Sequence, residues 1–303
     1  MFVADMHCDT LMLAGSGSRL VKKYNVSERY PFLQFFANFH SADGKTPEER
    51  RVQTFKTLEL FESLSEAEGL FRIYSAADVR EAFSSGKRSA LFSIEGGGGL
   101  LSSSGELSEL YRRGLRVLGP IWDDNELGAS AYAKVDTGLT EEGKKLILRA
   151  IDMGIIIDCS HMSDRGFHQL CELTDKPFLA THSNYRTCTN SPRNLTDDMA
   201  RELSCRGGLA GINIYPPFLS DTASATVDDI LRHADYALEH FGERFVAFGG
   251  DIDGTDGRYP SPLSERESIH DALIDAFLKR YPERVVRRIA GENVMEFLIK
   301  NLK

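Results

Sequence analysis

The 303-residue chain lacks the long apolar segment that would carry it across a membrane. No stretch approaches the roughly 18 consecutive apolar residues of a membrane-spanning helix. The amino terminus, from Met1 to His7, enters polar sequence without a basic region or a cleavage site, so export is not expected. The five cysteines are scattered and never spaced Cys-x-x-Cys, which argues against a disulfide framework or a structural zinc site. These absences predict a cytoplasmic protein without a membrane partner.

Basic residues are in the minority as well. The chain has 36 Lys and Arg residues against 45 Asp and Glu residues, a formal charge of -9, and no long basic run. A nucleic-acid partner is therefore not expected. Phosphate-binding glycine motifs are also missing: the stretch from Glu95 to Gly105 is rich in glycine but has neither the Lys-Ser/Thr of a P-loop nor the G-x-G-x-x-G spacing. We interpret this stretch as a loop that follows a strand.

The chain does contain a repeated alternation of short apolar runs with amphipathic stretches, which is typical of βα units around a parallel sheet. Helix-start signals fall between the runs at Thr140, Thr196 and Thr226, and the sequence after Glu265 shows helical patterns only. No linker or repeat divides the chain. We expect a single domain, residues 1–303, with the α/β fold of a (β/α)8 TIM barrel and a C-terminal helical extension. The predicted strands are Phe2–Met6, Leu33–Ala37, Ser89–Ile94, Leu115–Pro120, Ile155–Cys159, Phe178–Thr181, Leu209–Asn213 and Phe245–Gly249, with Phe71–Tyr74 competing for the second place.

Polar residues directly after the apolar runs are the most informative. In a TIM barrel these positions face the carboxyl-terminal mouth, where active sites lie. His7 and Asp9 are two residues apart at one strand end, so both side chains point the same way. The candidates at strand ends are His7, Asp9, Glu95, His161, His182, Asp251 and Asp253. We expect the other histidines, His40, His168, His233, His240 and His270, at the surface.

Three histidines and several carboxylates at one rim form a ligand set for metal ions. Glu95 ends an apolar strand, where a carboxylate is costly to bury unless it binds cations, so we place it between two divalent ions. Two such ions can share a hydroxide nucleophile at neutral pH, which predicts hydrolysis. Imidazoles and carboxylates without a thiolate suit Zn²⁺, Mn²⁺ or Co²⁺. We expect two divalent ions, with zinc as the preferred metal.

In their order and spacing, these residues resemble the membrane (renal) dipeptidases, metallopeptidase family M19, in their bacterial form. The resemblance runs from about residue 3 to about residue 300, and His161 and His182 are separated by 21 residues. The segments that carry it are Asp5–Thr10, Ile94–Gly97, Ile157–Asp164, Ala180–Asn184, Pro192–Leu195, Gly249–Gly254 and Gly291–Asn293.

The resemblance implies a role for each candidate residue. His7 and Asp9 match the ligands of one metal ion, His161 and His182 match those of the second, and Glu95 matches the bridging carboxylate. Asp251 matches the acid/base carboxylate. Arg193 matches the residue that pairs with the substrate's C-terminal carboxylate, and Asn194 and Tyr215 are implied to lie close to it. The implied activity is hydrolysis of dipeptides with a free C-terminal carboxylate, including those with a D-residue there, and the implied assembly is a homodimer.

One position departs from the well-studied animal enzymes. They carry a histidine that contacts the scissile carbonyl oxygen, whereas this chain has its single tryptophan, Trp122, at the aligned position. An indole donates one hydrogen bond but carries no charge, so stabilisation of the oxyanion falls more to the metals or to a neighbour such as Asn125. Two alternatives stay open: another binuclear-metal amidohydrolase, and a non-catalytic metal-binding relative.

Overall fold

The computed structural model describes residues 1–14, 18–103, 105–222 and 224–303. Eight parallel strands in this part of the chain form a nearly closed barrel, and a short ninth strand lies beside it. The strands are β1 (Val3–Cys8), β2 (Phe32–Phe39), β3 (Phe71–Arg72), β4 (Ser89–Glu95), β5 (Leu115–Gly119), β6 (Ile156–Ile157), β7 (Leu179–Ala180), β8 (Leu209–Ile212) and β9 (Val246–Phe248).

The order of strands in the sheet is β6-β5-β4-β2-β1-β9-β8-β7. A parallel bridge between Asp158 and Leu179 spans the seam between β6 and β7 and joins the two ends of this order. Each of the eight predicted strands is therefore present and the TIM barrel is confirmed. The competing run at Phe71–Tyr74 supplies only β3, which pairs with the start of β4 outside the ring.

Helices connect the strands and surround the barrel. Thr140 and Thr196 accept hydrogen bonds from the backbone of the first turn of their helices, and Thr226 forms a capping box with Asp229, as predicted. The helices are α1 (Pro47–Ala67), α2 (Ala76–Ser84), α3 (Glu106–Arg113), α4 (Glu141–Met153), α5 (Asp164–Leu173), α6 (Asp197–Cys205), α7 (Pro216–Leu219), α8 (Val227–Phe241), α9 (Ile269–Arg280), α10 (Glu283–Arg287) and α11 (Asn293–Asn301), with a 3₁₀ turn at Leu263–Glu265 and a π turn at Arg288–Glu292.

The barrel interior is a separate apolar cluster that the last helix closes. Val294 and Leu298 of α11 belong to the same cluster as inward-facing strand residues, and they lie at the end of the barrel where the strands begin. The predicted C-terminal helical extension thus covers the barrel floor and leaves the opposite end open. The strand residues of this cluster include Ala4, Met6, Leu33, Phe35, Leu91, Val117, Ile156, Leu179, Leu209 and Ala247.

The glycine-rich stretch after β4 is a loop, as predicted, although Ser104 lies outside the described residues. Gly96 and Gly99 both have positive φ, 81° and 95°. A β-carbon on Gly99 would collide with the carbonyl oxygen of Pro47, so this turn requires glycine. The loop packs against the start of α1 and against the mouth of the barrel.

Three of the five histidines expected at the surface are buried instead: His40, His233 and His270. His233 lies on the inner face of α8, 6.1 Å from the ring of Tyr185, and His270 on α9 reaches Asp5 of β1. Helical position alone does not show that His233 and His270 lie on inward-packing faces. His40 lies in the loop directly after β2, where its amide donates to the carbonyl of Glu95. The surface prediction is wrong for these three residues. His168 and His240 are exposed, as predicted.

Candidate active site

Six polar side chains converge at the carboxyl-terminal mouth of the barrel, each delivered by a strand end. The end of β1 is irregular because its register with β2 shifts between Asp5 and Cys8. This irregularity lets His7 face the mouth directly after Met6, which lies in the barrel interior. The converging residues are His7 and Asp9 from β1, Glu95 from β4, His161 after β6, His182 after β7 and Asp251 after β9.

Glu95 lies at the centre of this group. Its Oε1 is 2.8 Å from Nε2 of His161 and 3.1 Å from Nε2 of His182, while its Oε2 is 3.5 Å from Nε2 of His7. The same Nε2 of His7 is also 3.8 Å from Oδ2 of Asp9 and 3.9 Å from Oδ1 of Asp251. The two oxygens of one carboxylate therefore face two different sets of ligands.

These sets have the composition expected for two metal ions. His7, Asp9 and Glu95 form one group whose ligand atoms lie within 4.8 Å of one another, and Glu95, His161 and His182 form a second. Glu95 belongs to both groups, in the position of a shared ligand. His7, His182 and Asp251 also lie close enough together to form a third group, and Asp251 belongs to this group alone.

The unpaired polar atoms of the cluster fit bound cations. Nε2 of His7 and Oδ1 of Asp9 are buried without a hydrogen-bond partner among the described residues. Burial lowers the pKa of His7, yet the neighbouring Glu95 and Asp9 carboxylates outweigh burial and raise that pKa well above its ordinary value. The site thus favours positive charge at the point where a metal ion would lie between these side chains.

The second pair of imidazoles is held in the uncharged form that binds metals. Burial lowers the pKa of His161 to about 4, and the cation of Arg193 adds to this effect. Burial together with His7 and Arg193 holds the pKa of His182 well below its ordinary value. Burial acts to raise the pKa of Glu95, but the imidazoles of His7 and His161 outweigh it, so the carboxylate remains charged.

Asp251 is buried beside the cluster and its ionisation is balanced near neutrality. Burial raises its pKa to about 7, with the charges of Asp9 and Glu95 acting in the same direction and His7 acting against them. Its Oδ2 accepts a hydrogen bond of 3.0 Å from the side-chain amide of Asn213. A carboxyl group with such a pKa can both take up and release a proton at neutral pH.

Arg193 is buried next to the second pair of imidazoles. Its Nη1 donates to Oγ of Ser183 at 2.7 Å and its Nη2 donates to the carbonyl of His182 at 3.0 Å. These bonds fix the plane of the guanidinium, while Nε has no partner within the described part of the chain. Three of the five N–H groups of the side chain are then free for a ligand.

Trp122 lies beside His161 of the second pair. Its ring centroid is 6.0 Å from that of His161 and 4.5 Å from that of Phe39, which is the last residue of β2. The indole is half-buried, so it forms part of the wall of the mouth. Trp122, a residue that the sequence predicts to bind substrate, therefore lies near the ligand group of His161.

The remaining predicted site residues have mainly local contacts. The amide of Asn194 donates to the carbonyls of Thr189 and Phe218, which secures the loop that carries Arg193. Tyr215 packs on the ring of Phe218 and is half-buried. Asn125 uses both ends of its amide inside its own loop, donating to the carbonyl of Pro120 and accepting from the backbone of Leu127. The structure gives Asn125 no contact with the ligand cluster.

Sequence reasoning missed the side chains that support the ligands. Asn213 directly follows β8, but only histidines and carboxylates were considered at strand ends. Asp158 follows β6 and accepts hydrogen bonds from the backbone and hydroxyl of Thr181, whose oxygen contacts Nδ1 of His182 at 2.8 Å. Asp253, a candidate by position, binds Tyr24 and Thr10 rather than the cluster, and so supports the loop after β1.

A family model described as membrane dipeptidase, peptidase family M19, matches residues 4–300. The chain belongs to this family. Mouse dipeptidase 3 is 29% identical over 217 residues, which cover 69% of this chain and 44% of the mouse protein. An uncharacterised Klebsiella pneumoniae protein from the pqqA 5′ region is 34% identical over 238 residues, which cover 74% of this chain and 86% of that protein.

Two solved structures of the same kind share the whole fold. The M19 metallopeptidase dipeptidase AC superimposes with a TM-score of 0.86 at 24% identity, covering 100% of this chain and 99% of its own. A metallopeptidase from Rhodobacter sphaeroides, solved with a phosphinate mimic of the dipeptide L-Ala-D-Ala, gives 0.87 at 23% identity, with coverage of 100% and 99%. At these identities the likeness establishes the barrel.

As a member of this family, the M19 chain is a metal-dependent dipeptidase. The ligand groups around Glu95 are consistent with the metal dependence. None of the helices in the described residues combines the length and the apolar character that a membrane crossing requires.

Proposed function

We propose that this M19 chain hydrolyses dipeptides with a free C-terminal carboxylate by means of two zinc ions. His7 and Asp9 would hold one ion, His161 and His182 the other, and Glu95 would bridge them. The position of Glu95 is the observation that carries the proposal, because its two oxygens face the two imidazole groups separately. Imidazole and carboxylate ligands without a thiolate support zinc as the metal.

The reaction needs a nucleophile, a proton carrier and an anchor for the substrate. Two bound ions supply a hydroxide nucleophile at neutral pH. Asp251 would take up the proton of the attacking hydroxide and pass it to the leaving amine, and its position 3.9 Å from the proposed ligand His7 supports this role. Asn213 keeps the Asp251 carboxylate oriented through its hydrogen bond to Oδ2.

Arg193 would bind the C-terminal carboxylate of the dipeptide. Its guanidinium is held by Ser183 and the backbone of His182, so free N–H groups remain for a ligand next to the second metal position. A planar guanidinium pairs with a carboxylate through two parallel hydrogen bonds. Asn194 secures this loop, Tyr215 packs on Phe218, and Trp122 lies beside His161, so we propose all three as substrate-binding residues.

The stereochemistry of the C-terminal residue follows the same geometry. Arg193 would bind the C-terminal carboxylate of the dipeptide and not the side chain of its C-terminal residue. We therefore propose that this residue can be either an L- or a D-residue. The dipeptide mimic in the Rhodobacter sphaeroides structure, which has D-Ala at its C-terminal position, supports this proposal. We propose that L-Ala-D-Ala is cleaved at a rate within about tenfold of L-Ala-L-Ala, an order-of-magnitude allowance for unequal side-chain contacts.

Arg193 and the free carboxylate are tested by one pair of substrates. The wild type should cleave L-Ala-D-Ala and leave its C-terminal amide nearly intact, and Arg193→Ala should lose about 2–5 kcal/mol of transition-state binding for the free dipeptide only. Kinetic constants for both substrates, with and without added Zn²⁺, check this. Equal rates on the dipeptide and the amide would remove Arg193 from the site. If the protein cleaves lactams or phosphoesters but no dipeptide, another amidohydrolase activity is favoured. If it cleaves none of these substrates, a non-catalytic protein is favoured.

The assembly and location are part of the same proposal. We propose a single domain over residues 1–303, a homodimer, and a cytoplasmic location. All five cysteines lie in the described residues as free thiols, which suits a reducing compartment. Light scattering at micromolar concentration tests the dimer, and a clean monomer would contradict it.

A further inference from the structure

A buried hydrogen bond between two side chains links the ligand cluster to the C-terminal extension. The carboxylate of Asp5, on β1, accepts a hydrogen bond from Nε2 of His270, on α9, at 2.7 Å. Both residues are 1% exposed and are separated by 265 residues in the sequence. The mechanism described above uses neither of them.

The same carboxylate also binds the backbone on both sides of the metal site. Its Oδ1 accepts from the amide of His7 at 2.9 Å, and the amide of Gly250 donates to both oxygens, at 3.0 and 3.1 Å. His7 is a proposed metal ligand, and Gly250 directly precedes Asp251. A β-carbon on Gly250 would lie 2.9 Å from Oδ2 of Asp5, so a glycine is needed for this close approach.

Only a carboxylate can serve all three donors. Two backbone N–H groups and one imidazole N–H converge on two acceptor oxygens, whereas a side-chain amide would turn an NH₂ group toward one of the donors. Nearby, the amide of Asp251 donates to the carbonyl of His7 at 3.1 Å, and the amide of Asp9 donates to the carbonyl of Ile252 at 2.8 Å. The ends of β1 and β9 are thus joined directly below the cluster.

We infer that Asp5 and His270 are positioning residues that set the distance between the His7 metal site and Asp251. This inference rests on the proposed function, because it takes His7 as a ligand and Asp251 as the proton carrier. Residues that orient the ligands of a metal typically change its affinity or the activity by about 10–100-fold when they are replaced. Helix α9 then has a role in the active site through the contact of His270 with Asp5, although it lies in the C-terminal extension.

The test compares amide and apolar replacements of one side chain. His270→Gln places an N–H near the position of the original Nε2, whereas His270→Asn is one methylene shorter and His270→Leu has no donor. We expect Gln to keep metal affinity and kcat within about threefold of the wild type, and Asn and Leu to lose about 10–100-fold in both, with KM changed less than twofold. Binding of Co²⁺ alone, followed by its visible absorption spectrum, reports the metal site without any substrate.

A matched control comes from the other end of β9. Asn293 on α11 is buried and donates to the carbonyls of Glu243 and Val246, at 2.7 and 2.8 Å. Asn293→Ala should lower the unfolding temperature, because it breaks buried hydrogen bonds at the start of β9 and just before it. It should leave the Co²⁺ affinity unchanged, because these bonds lie at the opposite end of β9 from the ligand cluster. If His270→Leu does not fold, the comparison of Asn with Gln still decides the question.

The outcomes separate the inference from the function on which it rests. Wild-type Co²⁺ affinity and kcat in folded His270→Leu or His270→Asn would overturn the positioning role and leave the dipeptidase proposal intact. A loss of Co²⁺ affinity no greater than that of Asn293→Ala would also overturn it. If the wild type cleaves no dipeptide, the proposed function fails, while the Co²⁺ affinities still test the link through His270.

Discussion

Asp251 is constrained by its backbone as well as by its chemistry. Its φ is 56°, in the left-handed region that few residues other than glycine, asparagine and aspartate adopt readily. Asp251→Asn therefore keeps both the size and the backbone preference of the side chain but cannot accept a proton. We expect this variant to fold, to retain both metals, and to lose roughly 10²–10⁴-fold in kcat.

Asp256→Asn is the matched control for this prediction. Asp256 lies in the same loop with a φ of 53°, but its side chain is exposed and faces only Arg258. It should retain wild-type kcat. Full activity of Asp251→Asn would leave Asp251 without its catalytic role, and loss of a metal ion from that variant would show that Asp251 is a ligand.

The metal-ligand candidates could be found from the sequence because each lies within three residues of the end of a predicted strand. His7, Glu95 and His182 need no knowledge of tertiary contacts beyond the barrel itself. Asn213 is the last residue of a predicted strand, but it is neither a histidine nor a carboxylate, the residue types that indicate a metal ligand. The role of His270 could not be predicted from the sequence, because its contact with Asp5 depends on how α9 packs against β1.

The seam between β6 and β7 is joined by a single parallel bridge, between Asp158 and Leu179. Asp158 strengthens it by accepting hydrogen bonds from the amides of Ser160 and Thr181, at 3.0 and 2.9 Å. Because the hydroxyl of Thr181 donates to Asp158, its oxygen is free to accept from Nδ1 of His182. That contact orients the His182 ring so that Nε2 faces Glu95.

Replacement of Asp158 should therefore weaken the seam and the metal site together. We expect Asp158→Asn to lower the free energy of unfolding by about 1–3 kcal/mol, because one buried donor loses its acceptor. Metal affinity should fall by about 10–100-fold. Urea unfolding and Co²⁺ titration measure the two effects.

Asp164→Asn provides the comparison for Asp158. Asp164 pairs with Arg186 near the surface, with half its side chain exposed, and should contribute less than about 1 kcal/mol. If a folded Asp158→Asn variant keeps the metal affinity of the wild type, Asp158 stabilises the β6–β7 seam but does not support the metal site.

The alternation of apolar and amphipathic runs predicts the barrel because each strand is buried on both faces. It does not predict how short some strands are, since β6 and β7 each have only two residues and the loops after them carry the ligands. Nor does it show the irregular end of β1, which depends on the register with β2. Those features arise from contacts between segments distant in sequence.

Stability of the whole molecule should depend on pH through a buried histidine outside the active site. Burial lowers the pKa of His233 from 6.5 to about 4, with Arg232 adding to the effect and the Leu219 carbonyl and Asp229 opposing it. The unfolded chain therefore binds a proton before the folded protein does. The contribution of His233 is fully present above about pH 6.5 and is lost as the pH falls to about 4, a change of about 2–3 kcal/mol.

His233→Gln isolates this contribution from other titrating groups. Urea unfolding of the metal-free wild type and variant is measured between pH 7 and pH 4.5. The free energy of unfolding of the wild type should fall by about 2–3 kcal/mol more than that of the variant over this range. A constant difference between the two free energies across the range would contradict the assignment. The difference also cancels the protonation of the metal ligands, which both proteins share.

The two-ion centre around Glu95 is tested most directly by titrating the metal-free protein with Zn²⁺ while following hydrolysis of L-Ala-D-Ala. Because Glu95 contacts both imidazole groups, we expect activity to rise steeply with the second ion and to saturate at about two equivalents per chain. Glu95→Gln, which removes the shared charge, should lose several orders of magnitude in turnover at any zinc concentration. Full activity at one equivalent, or near-normal turnover in Glu95→Gln, would contradict the account.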